Sequence, residues 1–358
     1  MRMLVVDAFT DRPFAGNPAG VCLLGEAADP GWMQRVAAEM KHSETAFVRP
    51  VDAPDADFEL RWFTPLVEVA LCGHATLASA HALYATGTVA PDRPIRFQTL
   101  KSGVLTVTRA ADGALEMDFP SVPPVPADAP AGLAEALGGG TPARLLGVGR
   151  NAQNDLVVEV TDEAAVRGLA PDIAALGRID ARGVVATAAA EPGRAYDFVS
   201  RFFGARVLLG DGEDPVTGSA HCALGPFWAG RLGRDDLVGY QASERGGLVR
   251  VSTRGDRVRL AGTAVTELDA ALAVGAGRRA PGRARRPRRP RRPRRPRRPR
   301  RPRGRAVRAV RAVRAVRAVR AVRAVRAVRE PGAAGADGCV SGRETVHGGR
   351  VPLRRLDG

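Results

Sequence analysis

The chain has little of what staples small domains or anchors membranes. Its four cysteines, Cys22, Cys72, Cys222 and Cys339, are scattered over 358 residues without a CxxC pair. That argues against a structural zinc site and fits a reducing compartment. No apolar run approaches the ~18 residues needed to cross a bilayer. The apolar segment of MRMLVVDAFTDRPF is short and broken by Asp7, so no secretory leader is expected and a cytoplasmic location is. Basic charge is also scarce outside one region. The net +16 would ordinarily suggest a nucleic-acid or membrane partner. Residues 278–358, however, hold 29 arginines and four acids, which leaves 25 bases and 34 acids, a net −9, in residues 1–277. The body is mildly acidic. With about 275 residues it is long enough to bury a sizeable core in two ordinary domains.

The basic tail is a repeat. Arg-Arg-Pro occurs six times from 285 to 302, and Arg-Ala-Val eight times from 305 to 328. A nine-base unit, CGC CGT CCG, encodes Arg-Arg-Pro in one frame and Ala-Val-Arg when shifted by one base. The two tracts therefore read as one GC-rich minisatellite with a frame change near Gly304. The first tract favours an extended polyproline-like chain with no apolar surface to bury. The second has a period of three, which gives a helix no constant apolar stripe. Residues 276–358 are thus expected to be disordered. Nucleic acid is not expected as a partner beyond non-specific, salt-dependent attraction to this tail.

Inside the body the sequence repeats itself. DFELRWF at 57–63 returns as DFVSRFF at 197–203, CGHATLASAHAL at 72–83 aligns with TGSAHCALGPFW at 217–228, and Gln98-x4-Gly103-x-Leu105 matches Gln241-x4-Gly246-x-Leu248. Leu115-x-Met117 then matches Val258-x-Leu260. Upstream, VVDAFT, GVCLL and ETAFV read as strands around a helix, DPGWMQRVAAEMK, with Asp29 as N-cap and Pro30 at its first position. Met33, Val36, Ala37 and Met40 form its buried stripe. ARLLGVG, DLVVEV, DEAAVRGLAPDIAAL and GVVATAA repeat that order, and PSVPPVPADAPAG at 120–132 reads as the connection. The expectation is two similar α+β lobes, 1–119 and 120–275, facing each other across a cleft.

Each copy has a loop that ends in glycine and opens a helix, Gly73 in the first and Gly218 in the second. Helix starts offer unpaired N–H groups and positive dipole, and glycine permits close approach. Two such starts aimed at one spot would clamp a small anion such as a carboxylate. The copies also differ. Glu44 begins a strand whose counterpart, aligned at an offset of 140, carries Val184; a half-buried carboxyl there would have its pKa raised toward that of a working acid/base. His74 corresponds to Ser219, and the second copy inserts GDGEDPVTG, whose Asp214 reads either as a turn cap or as a carboxylate aimed at His74 or the ligand. His81 and His221 read as packing residues.

FAGNPAGVCLL, SETAFV, RWFTPLVEVALCGHATLASAHAL, GDGEDPVTGSAHCALGPFWAGRLG and QASERGGLVRV together resemble the PhzF-like phenazine-biosynthesis isomerases over residues 1–274. The resemblance implies the diaminopimelate-epimerase fold, in which each lobe is a mostly antiparallel sheet wrapped around a central helix. It also implies a homodimeric isomerase using neither metal nor cofactor on a small carboxylate substrate. The family's catalytic acid/base falls on Glu44, its site histidine on His74, its aspartate on Asp214 and its serine on Ser219. Gly73 and Gly218 would cradle the substrate carboxylate. Racemases of this fold use two opposed cysteines; Cys72 stands at one such position, but Thr217 stands at the other. A Cys72-type racemase and a non-catalytic carboxylate-binding protein are the alternative expectations.

Overall fold

The computed structural model describes residues 1–206, 208 and 212–273; the expectation for 276–358 lies outside them, as does part of the 210–218 insertion. The first half contains β1 (Arg2–Ala8), β2 (Asn17–Leu23), α1 (Pro30–Met40), β3 (Glu44–Pro50), β4 (Phe58–Phe63) and β5 (Glu68–Val69). It continues with α2 (Gly73–Ala85), β6 (Ile95–Gln98), β7 (Val104–Arg109) and β8 (Leu115–Pro120). The second half begins with β9 (Val125–Pro126), α3 (Leu133–Gly138), β10 (Leu145–Arg150), β11 (Asp155–Val160), α4 (Glu163–Arg167) and α5 (Ile173–Leu176). Then come β12 (Gly183–Ala189), β13 (Phe198–Phe203), β14 (Glu213–Asp214) and α6 (Gly218–Leu232). The described chain ends with β15 (Asp236–Gln241), β16 (Gly247–Arg254), β17 (Arg257–Gly262) and β18 (Ala264–Ala271).

The halves repeat strand for strand. β2 and β3 run parallel, as do β11 and β12; β3–β4 and β12–β13 are antiparallel; β4–β6 and β13–β15 are again parallel. The remaining pairs are antiparallel. β8 and β17 lie side by side and pair Met117 with Leu260. Those two residues also match in the sequence repeat, so the pseudo-twofold axis passes between them. β18 crosses back to pair with β1, which carries the end of the described chain onto the first sheet.

Strand alternation sorts side chains onto two faces. On β3, Ala46 and Val48 point into the main core while Phe47 joins Met33, Val36 and Trp32 of α1 on the other face. On β12, Val185 points into the main core while Val184 and Ala186 join the cluster under α3–α5. α2 and α6 fill the middle. Ala75, Leu77, Ala78, Ala80, Ala82 and Leu83 of α2 are all buried, so this helix has no wet stripe; a helix apolar all round belongs inside a domain. Each fully buried leucine on it contributes about 1.5–3 kcal/mol.

Two local expectations are corrected. DEAAVRGLAPDIAAL is not one helix but two short ones, α4 and α5, separated by Gly168 and Pro171, which stop helices. Val184 is not the counterpart of Glu44. Phe63 pairs with Thr45 and its repeat Phe203 pairs with Val184, so Glu44 corresponds to Gly183. The connection from Ala189 to Phe198 is one residue longer than that from Pro50 to Phe58, so the offset drops from 140 to 139 across the hairpin. A one-residue slip reverses which face a side chain occupies, and Val184 does face the opposite side. α1 is as expected: Asp29 accepts from the Trp32 N–H, with Pro30 at the helix start, and Trp32 adds to the buried stripe.

Candidate active site

The two helix starts touch. A Cβ built on Gly73 would lie 3.6 Å from the Cα of Gly218, and one built on Gly218 would lie 3.5 Å from the Cα of Gly73. Neither helix is capped by the side chain before it: Cys72 and Thr217 make no cap hydrogen bond. The first-turn N–H groups of α2 and α6 therefore converge on one place without side-chain caps.

Glu44, His74 and Asp214 gather beside this contact. His74 Nε2 lies 3.3 Å from Glu44 Oε2, with side-chain exposures of 5% and 15%. Asn17 joins the rest. Its Nδ2 lies 3.2 Å from His74 Nδ1, 2.8 Å from Asp214 Oδ1 and 2.9 Å from the Val216 carbonyl, while its Oδ1 accepts from Ser43 Oγ at 3.2 Å. Of the three contacts to the two-proton Nδ2, the Asp214 and Val216 oxygens are the closest and His74 Nδ1 the farthest. Asp214 does not cap α6. Its Oδ2 accepts from Thr217 Oγ1 at 2.5 Å, and Gln241 fastens the same turn by donating to the Asp214 carbonyl and accepting from the Thr217 N–H.

Burial sets the protonation states. It is the largest cause raising Glu44 to about 8, and the nearby Asp214 charge adds to it. Burial also lowers His74 to about 3. The contact has the spacing of an ion pair, yet both partners are neutral near pH 7, so it is a close contact between neutral groups. Asp214 is raised to about 6 by burial, against the Thr217 and Asn17 hydrogen bonds and the charge of Arg182. The Cys72 thiol is 3.5 Å from His74 Nδ1, and burial pushes its pKa well above the usual thiol value. The ligand atoms of Glu44, Cys72 and His74 lie within 4.8 Å of one another. A metal held there would first have to displace the carboxyl and thiol protons.

Two cavities flank the cluster. One of about 280 Å³ is walled by Gly73, Gly218, Ser219, Arg182 and Phe119; the other, about 200 Å³, by Ser43, His42, Leu66 and Asp214. Of the residues read from sequence, Gly73, Gly218 and Ser219 meet in the first cavity and Asp214 reaches the second. Glu44 and His74 line neither, although their chain neighbours Ser43 and Gly73 line one each. Ser219 is not in the Glu44–His74 cluster; its Oγ accepts from Arg182 Nη2 at 3.1 Å. The predicted packing roles of His221 and His81 agree with their contacts. His221 is fully buried with Nδ1 on the Thr217 carbonyl at 2.9 Å, and His81 is 3.0 Å from Thr266.

Sequence reading missed Asn17, Gln241 as a loop fastener, and Arg182. Asn17 sits in FAGNPAG, among small and apolar neighbours, where a buried amide needs partners from elsewhere in the fold. Gln241 carried a signal: it repeats Gln98, but Gln98 is exposed and Gln241 fully buried.

A duplicated two-lobed fold with one buried cluster of ionisable side chains, Glu44, His74 and Asp214, places the chain with the isomerases and epimerases of the diaminopimelate-epimerase-like fold. A family model described as phenazine biosynthesis-like protein, PhzC-PhzF, matches residues 6–270. An uncharacterized isomerase of Halalkalibacterium halodurans is 46% identical over 269 residues, covering 75% of this chain and 97% of that protein. The phenazine biosynthesis-like domain-containing protein of Homo sapiens is 39% identical over 287 residues, covering 75% and 98%. The crystal structure of a PhzF-family phenazine biosynthesis protein from Enterococcus faecalis matches with a TM-score of 0.68 at 36% identity, over 76% of this chain and 99% of that one. A probable proline racemase of Agrobacterium radiobacter, 14% identical with a TM-score of 0.52 over 76% and 93% of the two chains, shares the fold alone. The chain belongs to the phenazine biosynthesis-like PhzC-PhzF family.

Proposed function

We propose that this protein is a cofactor-independent isomerase that shifts a proton between two positions of a small carboxylate-bearing substrate, with Glu44 as the acid/base. The observation that carries the reading is the placement of one buried carboxyl, raised to about 8, beside the meeting point of two helix starts that lack side-chain caps. A carbon acid needs a base of suitable pKa and a stabiliser for the charge that develops. Ionised Glu44 removes the proton, and the converging N–H groups of α2 and α6 hold the negative charge. Protonated Glu44 then returns the proton to the second position. His74, neutral and in contact with Asn17, stands 3.3 Å from Glu44 and steadies its carboxylate. Asp214 and Ser219 hold polar groups of the substrate. A cytoplasmic homodimer is part of the same proposal.

The test is hydrogen exchange from deuterated water into candidate cyclic and α-amino or α-hydroxy carboxylic acids, followed by mass spectrometry. The wild-type chain is expected to label its substrate, and Glu44→Gln to lose about 10²–10⁴-fold in rate. Because the free Glu44 must be ionised to act as base, kcat/KM rises with pH and levels off above about 8. Labelling that survives Glu44→Gln and vanishes in Cys72→Ala would transfer the role to the thiol. Tight carboxylate binding without any labelling would leave a binding protein.

A further inference from the structure

The two lobes bring different residues to equivalent strand starts. The hairpin registers that equate Glu44 with Gly183 also equate Ser43 with Arg182. Ser43 donates to Asn17 at 3.2 Å; Arg182 donates through Nη2 to Gln153 at 3.0 Å. One lobe thus provides a carboxyl beside the helix starts and the other a guanidinium. Arg182 is held firmly. Its Nε and Nη2 meet the fully buried Asp155 carboxylate at 2.8 and 2.5 Å, Nη2 also reaches Ser219, and the guanidinium lies 5.7 Å from the Phe202 ring centre.

This anchoring uses one edge of the guanidinium. Among the described residues Nη1 has no hydrogen-bond partner, and the side chain, 35% exposed, forms part of the wall of the 280 Å³ cavity that holds Gly73, Gly218 and Ser219. Arg182 thus does more than neutralise Asp155, since it also walls a cavity together with its partners Gln153 and Ser219. The rest of the wall includes Leu71, Phe119, Pro120 and Val122, which suits an apolar body rather than a second charge.

We propose that Arg182 receives the ligand's carboxylate through Nη1, together with the N–H groups at the start of α6. The second lobe then grips the anion, while the first lobe supplies Glu44, behind the helix start that Gly73 opens. The cavity selects a monocarboxylate with a compact apolar body. This rests on the isomerase reading and is tested separately from it, by binding rather than turnover.

The experiment is calorimetric titration of the full chain with benzoate, benzamide and acetate. Benzoate is expected to bind at least about tenfold more tightly than either neutral benzamide or acetate, which lacks the apolar body. Removing Arg182 alone would strand Asp155, so the charge is removed in pairs: Arg182→Met with Asp155→Asn. That variant is expected to lose at least about tenfold in benzoate affinity while melting cooperatively. Arg182→Lys, which keeps a partner for Asp155 but not the planar fork, serves if the pair does not fold, with the same expected loss. Benzoate bound no better than benzamide, no benzoate binding by the wild type, or a loss below about threefold in the folded variant would overturn the assignment. Normal deuterium exchange with benzoate binding indifferent to Arg182 sinks this inference alone. Arg182-dependent binding without exchange sinks the isomerase reading alone.

Discussion

Glu44 and Cys72 lie in one buried cluster, and burial drives both acid groups upward. The carboxyl starts low and arrives at about 8, where it can give and take a proton near neutrality. The thiol starts near 9 and is driven out of that range. A two-thiol racemase needs a thiolate on each side, and Thr217 occupies the other position. Cys72→Ala is therefore expected to keep deuterium exchange within about tenfold of wild type, the effect of losing packing rather than chemistry. Glu44 also imposes a measurable stability penalty. The unfolded chain releases this proton near 4.5 and the folded chain near 8. Between those values the folded state binds more protons, so the group removes stability as pH rises and the loss is complete above about 8. Glu44→Gln is expected to melt at a higher temperature than wild type at pH 8, with the gap shrinking toward pH 4.5. Calorimetric scans across that range check the sign.

At the scale of elements, the helix starts raise the question of why glycine stands at both. Neither Gly73 nor Gly218 has a positive φ, and a Cβ on either would meet nothing closer than 3.5 Å. The fold alone does not require glycine there, in contrast to Gly16, whose φ is +66° and whose Cβ would run into the Ala8 carbonyl at 2.2 Å. On the proposed reading the remaining reason is access: a methyl group would stand between the two turns where the carboxylate is to meet the backbone. Gly73→Ala and Gly218→Ala are each expected to shift the melting temperature by only about 2–4 °C or less, while weakening benzoate binding at least about tenfold. An alanine variant that melts far lower with affinity intact would make these glycines packing residues.

Across the whole molecule the axis between Met117 and Leu260 relates two sheets, two central helices and two hairpins, but not their polar residues. In the repeat Glu44 corresponds to Gly183, His74 to Ser219, and Arg182 to Ser43. On the proposed reading, this division of labour between copies of one fold gives an acid/base to one lobe and an anion anchor to the other. The basic tail has no counterpart in the repeat. The family match ends at residue 270, and the Halalkalibacterium relative is covered over 97% of its length by residues of this chain that amount to 75%. Deleting 278–358 is expected to leave melting temperature, benzoate affinity and exchange rate unchanged, and to abolish the salt-dependent retention on nucleic acid that 29 arginines would give. A cut before Ala264 is different, because it strips β18 from β1 and unfolds the first sheet's edge.

The amino-acid sequence by itself determined the duplication, the glycine-led helices and the asymmetric placement of Glu44, His74, Asp214 and Ser219, because repeats and helix starts are local patterns written at fixed spacing. It could not determine that Asn17 ties His74 to Asp214, residues 57 and 197 positions away in the chain, or that Gly183 rather than Val184 is the counterpart of Glu44. Those depend on hairpin register, which one added residue in a loop resets. Nor could it separate Glu44 from an ordinary solvated carboxyl. Its working pKa comes from neighbours packed around it by both lobes, and only the tertiary structure excludes the water that would otherwise have kept it near 4.5.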